Sequence, residues 1–251
     1  MSELLIENSG TVRIVTLNRP EKRNALNDGL VRELKSALSS SDEDDSLRAI
    51  LIRGAGKDFC SGADLSALQK IAGASYEENL DDAKNLAELF STPRKVKVPV
   101  IAAVHGRALA GGCGLATACD IVLSTDTAIF GYPEVKIGFV PAIVTAFLRR
   151  NVSEKRAFEL LTRGFEFTAQ EATSLGLVNR IFPEEDFKAA VIDYAAAYSN
   201  LSSSAVQLTK SLLYRMDNVG FAQAIDLGSE VNAEARMTRE CQNGIRDFLD
   251  R

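Results

Sequence analysis

The sequence predicts an α/β fold built around one sizeable core. Three observations carry that expectation. Short apolar, β-branched runs recur through the first half of the chain, amphipathic helical patterns lie between them, and 251 residues at 46% hydrophobic content suffice to bury a single large core. Apolar runs at residues 4–6 and 12–17 read as the first two strands. Residues 27–38 put Leu30, Val31, Leu34 and Leu38 on one helical face, with Asn27 as the N-cap. The acidic run Ser41-Asp42-Glu43-Asp44-Asp45 reads as a solvated loop leading to a third strand at residues 49–52. Residues 76–90 repeat the helical pattern through Leu80, Ala83, Leu86, Ala87 and Phe90, and further strands follow at 100–104 and 121–123. Beyond residue 141 helix dominates, with segments at 143–150, 154–162, 169–175, 185–199, 203–216, 220–236 and 238–249. No low-complexity linker divides the chain, so the expected organisation is a core over residues 1–195 and a helical C-terminal region over 196–251 that packs on the core or on a neighbouring subunit.

Composition narrows the function. A net charge of -5 without clustered basic residues argues against a nucleic-acid surface. No apolar run reaches membrane-span length, and Met1-Ser2-Glu3-Leu4-Leu5-Ile6-Glu7 lacks the basic and apolar regions of a signal peptide. Cys60, Cys113, Cys119 and Cys241 form no Cys-x-x-Cys pair, so a disulfide framework is disfavoured and a reducing cytoplasm is expected. The sole histidine, His105, ends a buried strand and reads as structural rather than as a catalytic base; imidazole-rich zinc sites are excluded and no metal is expected.

Three segments could carry chemistry. Residues 53–65 and 104–113 are strand-to-helix junctions rich in small residues. Free N–H groups at such a helix start could form an oxyanion hole; ordinary tight turns with close helix–strand packing would read the same way. The Gly54-x-Gly56 portion lacks the third glycine and the immediate helix of a dinucleotide fingerprint. In the third segment, Glu134 is a carboxylate within an apolar stretch. Burial would make it a better general base, whereas a solvent-facing or helix-capping glutamate is the alternative. Gly114 lies inside the helix that Gly111 opens, where glycine costs about 1 kcal/mol relative to alanine and calls for a packing or functional reason.

The ordered motifs resemble the crotonase (enoyl-CoA hydratase/isomerase) superfamily. They are Leu17-Asn18-Arg19-Pro20 with Asn24-Ala25-Leu26, Phe59-Cys60-Ser61-Gly62-Ala63-Asp64, Ile101-Ala102-Ala103-Val104-His105-Gly106 with Gly111-Gly112-Cys113, Cys119-Asp120-Ile121, and Phe130-Gly131-Tyr132-Pro133-Glu134. Phe167-Thr168-Ala169-Gln170-Glu171-Ala172 leading to Gly176-Leu177-Val178-Asn179 completes them, so the resemblance spans nearly the whole chain. It implies a spiral of ββα units with a C-terminal helical trimerisation region, a homotrimer or hexamer, and an acyl-CoA thioester as substrate with no separate cofactor. The amides of Ala63 and Gly111 would be the oxyanion hole and Glu134 the acid/base. Gly62, Asp64 and Leu65 would belong to the adenine-pocket loop, with Lys22 and Arg23 near the CoA phosphates. Ala25, Tyr132 and Pro133 join the substrate-binding set, and Asp120 is a structural acceptor behind the site.

Hydratases of that superfamily commonly use two glutamates, and the first is replaced here by Gly114. One carboxylate suffices to shuttle a proton between two carbons, which favours double-bond isomerisation. Residues 130–144 instead resemble bacterial members labelled enoyl-CoA or methylglutaconyl-CoA hydratases. The space at Gly114 would then admit a branched or carboxylated acyl group, with Arg149 and Arg150 as candidate partners. A non-catalytic acyl-CoA-binding protein is the alternative from another class.

Overall fold

The computed structural model describes residues 2–250. In chain order the elements are β1 (Leu4–Ser9), β2 (Val12–Leu17), α1 (Asp28–Ser39), β3 (Ala49–Gly54), α2 (Leu65–Gly73), α3 (Tyr76–Lys95) and β4 (Val100–Val104). Then come β5 (Arg107–Leu109), α4 (Gly111–Ala118), β6 (Ile121–Thr125), β7 (Ile129–Gly131), α5 (Ala142–Asn151), α6 (Glu154–Arg163) and β8 (Glu166–Thr168). The chain closes with α7 (Ala169–Ser174), β9 (Arg180–Phe182), α8 (Phe187–Ala196), α9 (Ser203–Arg215), α10 (Phe221–Met237) and α11 (Arg239–Leu249).

A six-stranded sheet runs β1-β2-β3-β4-β6-β9, parallel throughout except for the β1–β2 hairpin. A second sheet runs β5-β7-β8, and Cys60 extends it through a parallel bridge to Ala108. The repeating unit is thus a strand in the large sheet, a short strand in the small one, and a helix: β4-β5-α4, then β6-β7-α5. This is the ββα winding expected of the crotonase-like fold.

Burial on both faces explains the unbroken apolar runs of the central strands. Val15, Leu17, Ile50, Ile52, Ala102 and Val104 face a core covered by α1, α3 and α4. Their neighbours Val12, Ile14, Leu51, Ile101, Ala103 and Leu123 face a second core closed by Phe187 and Val191 of α8. Asn27 caps α1 by accepting from the Leu30 amide at 2.7 Å. The acidic run is not a simple solvated loop: Ser41 is buried and accepts from Arg13 at 2.9 Å, while Asp42 accepts from the Lys97 amide at 2.8 Å. The elements not foreseen are α2 and the three-residue strands β5, β7, β8 and β9, too short to show alternation.

Lys210 on α9 is buried and donates to Asp120 Oδ2 at 2.6 Å and to the Val98 carbonyl at 2.7 Å, pinning α9 under the large sheet. Beyond it, α10 buries only Val231 and α11 buries nothing, leaving Phe221, Met237, Phe248 and Leu249 exposed. Among the described residues, no helix is long and apolar enough to cross a membrane.

Candidate active site

Three backbone segments lie side by side at the carboxyl ends of β3 and β4. Arg23 and Asn24 take positive φ (50° and 55°), turning residues 19–26 across the loop after β3. Ser61 and Leu26 amides donate to Arg23 and Gly62 carbonyls at 3.0 and 2.7 Å, and the Asp64 amide to Leu26 at 2.9 Å. Asn24, fully buried, donates to the Ala55 and Asp58 carbonyls, both at 2.8 Å. On the other side, the Cys60 amide donates to Arg107 and the Leu109 amide to Cys60, at 3.1 and 3.0 Å.

These bonds bring Gly62 against Gly111. Gly62 has φ +98°, and a Cβ there would lie 2.7 Å from Ala110 Cβ and 3.2 Å from the Gly111 nitrogen, so only glycine lets the two chains approach. Among the described residues, neither the Ala63 nor the Gly111 amide donates a hydrogen bond. Gly111 opens α4, whose first intrahelical bond is Gly114 to Ala110 at 2.9 Å. The residue before it, Ala110, has φ 48° and ψ -126°, a conformation that costs a non-glycine residue about 1–3 kcal/mol and persists only where its surroundings enforce it. The enforcing contact is the Ala110 amide's 2.9 Å bond to the Gly131 carbonyl, which also docks the end of β7 beside the start of α4.

Glu134 follows in the short 3-10 turn Pro133–Ile137. Tyr132 anchors that turn: it is fully buried, and its hydroxyl meets Thr117 Oγ1 at 2.7 Å. Glu134 is half-buried, and its Oε2 is buried without a hydrogen-bond partner among the described residues. Burial raises its pKa above the ordinary 4.5. Two free amides and a carboxylate with one unpartnered oxygen form a set that can polarise a carbonyl and move a proton on an adjacent carbon.

The match to known proteins agrees with this geometry. Residues 7–251 fit the model of the family described as enoyl-CoA hydratase/isomerase. The chain belongs to that family. A Thermus thermophilus protein assigned by name to the enoyl-CoA hydratases is 39% identical over 242 residues, 96% of each chain. The 2,3-dehydroadipyl-CoA hydratase of Escherichia coli is 32% identical over 252 residues, covering 100% of this chain and 97% of that one. The crystal structure of a Mycobacterium smegmatis enoyl-CoA hydratase superposes with a TM-score of 0.94 at 30% identity, covering 99% of this chain and 96% of that one.

Within this hydratase/isomerase scaffold the expected site residues separate into groups. Gly62, Ala63, Gly111 and Glu134 belong to the three apposed segments and the docked β7 turn, with Pro133 half-buried next to Glu134. Lys22, Arg23 and Leu65 are exposed at the rim. Ala25, Asp64 and Tyr132 make bonds that hold loops in place. Ala25 is buried and its carbonyl accepts from Arg19. Asp64 caps α2 through the Ser66 amide at 2.9 Å and pairs with Arg19 at 2.6 Å; the Ser66 bond first, then Arg19, hold its carboxyl down at about 2.

Gly114 corrects the expectation of vacant space. A Cβ there would lie 2.7 Å from Phe90 Cε2, 3.0 Å from its Cζ and 3.5 Å from Val144 Cβ. The room foreseen for an acyl branch holds the Phe90 ring, which packs edge-on against Phe147 at 6.3 Å. Arg150 is engaged too, pairing with Asp217 at 2.9 Å, while Arg149 is exposed. Gly114→Ala is therefore expected to destabilise the fold. Overpacking costs about 1–3 kcal/mol, and about 1 kcal/mol of helix propensity offsets only part of it, so thermal unfolding should show a lower Tm.

Sequence reading missed Phe90 and Ala110. Phe90 shows only as one more apolar position on α3, and nothing in a local pattern marks Ala110's positive φ. A cavity of about 500 Å³, whose lining includes Pro99, Asp120, Tyr198 and Leu213, lies instead at the amino ends of β4 and β6. The free amides and Glu134 sit at the carboxyl ends, where ligands of parallel α/β sheets bind.

Proposed function

We propose that this enzyme shifts the double bond of unsaturated acyl-CoA thioesters by proton transfer through an enolate, with Glu134 as its one acid/base. The Ala63 and Gly111 amides bind the thioester oxygen as it gains charge. Glu134 takes a proton from the α-carbon of a 3-enoyl ester; the electron pair spreads over the dienolate, and the same carboxyl returns the proton to the γ-carbon. Proton and electrons stay within the substrate, so the step needs no cofactor beyond the CoA it carries. The observation that carries this reading is the buried, unpartnered Oε2 of Glu134 combined with Phe90 filling the space at Gly114.

Lys22 and Arg23 are proposed to meet the CoA phosphates, with the 62–65 loop against the adenine. The exposed apolar residues of α10 and α11 support subunit packing of the 196–251 region in a trimer or hexamer, and we place the enzyme in the cytoplasm. The names of its relatives favour a second reading, hydration of a 2-enoyl ester with Glu134 serving both water and carbon; the sequence resemblance of residues 130–144 adds a branched methylglutaconyl-type ester to it. Incubation with 2-enoyl, 3-enoyl and methylglutaconyl esters in deuterated water, followed by NMR, separates these. A shifted, deuterated double bond supports isomerisation and a hydroxyacyl product supports hydration. Binding without deuterium incorporation would leave only a non-catalytic acyl-CoA-binding protein.

The pH dependence follows from Glu134. Its carboxyl must be ionised to take a proton, so the acid limb of kcat/KM is expected above pH 4.5. Stability has the opposite sign. A carboxyl whose folded pKa is raised binds more protons folded than unfolded, so stability falls as pH rises from 4.5 through the folded value. Glu134→Gln removes that dependence. Its Tm relative to wild type should climb across the same interval and hold steady below it.

A further inference from the structure

Gly114 lies three residues, just under one turn, beyond Gly111 on α4. Side chains of a helix lean back toward its N-terminus, so a group at position 114 would reach toward the atom held by the Gly111 amide. The Phe90 ring fills the space that such a group would start from, with Cε2 and Cζ at 2.7 and 3.0 Å from the place a Cβ would take. Phe90 is buried in the apolar core, wedged between Gly114 of α4 and Phe147 of α5, and an apolar wall of this kind offers water no hydrogen bond. Glu134 approaches from a different element, the turn after β7.

We propose that Phe90 is the residue that sets reaction specificity, by keeping one side of the bound acyl chain dry. Resting on the proton-transfer reading above, it means that the dienolate is closed only by a proton from Glu134. Water addition requires a water oxygen to bond the β-carbon of a 2-enoyl ester as one of its O–H protons passes to a carboxylate, the C=C pair to pass to the α-carbon through the enolate, and a proton to close it there. Phe90 withholds the first of these components.

The test measures initial rates of water addition and of deuterium incorporation on a 2-enoyl-CoA, for wild type, Phe90→Leu, Gly114→Glu and Phe90→Ala/Gly114→Glu, with thermal unfolding of each. Phe90→Leu removes the ring atoms nearest Gly114 while keeping an apolar side chain, and should raise the ratio of water addition to deuterium incorporation several-fold. The double variant, with a carboxylate to hold the water, should raise it at least about 100-fold. Gly114→Glu alone should unfold at a lower temperature because Phe90 is in its way. An unchanged ratio in well-folded Phe90→Leu overturns the proposal, and that variant decides the matter if the double variant does not fold. So does Gly114→Glu alone hydrating as fast as the double variant, or wild type hydrating as fast as Phe90→Leu. Failure of the underlying reading looks different: deuterium incorporation would be absent in wild type, or unaffected by Glu134→Gln, whatever the Phe90 variants do with water.

Discussion

Replacing Glu134 with glutamine should lower kcat by about a thousandfold, within the range that a positioned acid/base contributes, while affinity for CoA esters stays largely intact. Gln is isosteric with Glu, so the 3-10 turn and its Tyr132 anchor to Thr117 keep their shape. The amides of Ala63 and Gly111 come from other segments and stay free to receive the thioester oxygen proposed for them. What is lost is the only group in the set able to accept and return a proton, an interaction realised in the transition state and not in the bound ground state. The loss should therefore appear equally in kcat and kcat/KM. Steady-state kinetics on a 3-enoyl ester, paired with calorimetric binding of a saturated acyl-CoA, measure the two halves. Activity close to wild type would remove Glu134 from the mechanism; affinity collapsing together with kcat would make it a binding residue.

Much of this architecture is legible in the chain because periodic patterns report burial. Val12–Leu17 and Val100–Val104 fall on the predicted strands, and the spacing of Leu30, Leu34 and Leu38 gives the buried face of α1. Segments of three residues carry no period, so β5 and β7 were illegible, although they aim the Gly111 amide and Glu134. Glycines at 62, 111 and 114 are visible as residues, but their reasons differ. Gly62 lets two backbones meet, Gly111 opens a helix, and Gly114 makes way for a ring on α3. Only the fold distinguishes these, since Phe90 is brought to Gly114 by packing between α3 and α4 and by no local signal.

The same limit applies to Asp120, recognisable in sequence as a structural acceptor but not by its partner Lys210, 90 residues away. Asp120→Asn is expected to cost about 3–5 kcal/mol of stability, because removing one partner of a buried ion pair leaves an uncompensated charge. Lys210 is buried to 9% exposure, and its remaining acceptor is the Val98 carbonyl. Burial lowers the Lys210 pKa, and the Asp120 charge and its hydrogen bond oppose that shift. Asp120 also accepts from the Val100 amide at 2.7 Å and from the Tyr214 hydroxyl, tying the start of β4 to α9. Chemical denaturation of Asp120→Asn, Lys210→Met and Asp120→Asn/Lys210→Met closes the cycle and gives the coupling directly. The double variant should recover part of the loss, since Met leaves no buried charge and Asn keeps an acceptor oxygen for the Val100 amide or the Tyr214 hydroxyl. Asp120 lies two residues past α4, at the end opposite Gly111, so a loosened pair should also let the helix shift. An Asp120→Asn enzyme assayed below its Tm should then lose kcat as the Gly111 amide drifts from the thioester oxygen. Unchanged kcat in a destabilised variant would confine Asp120 to holding α9.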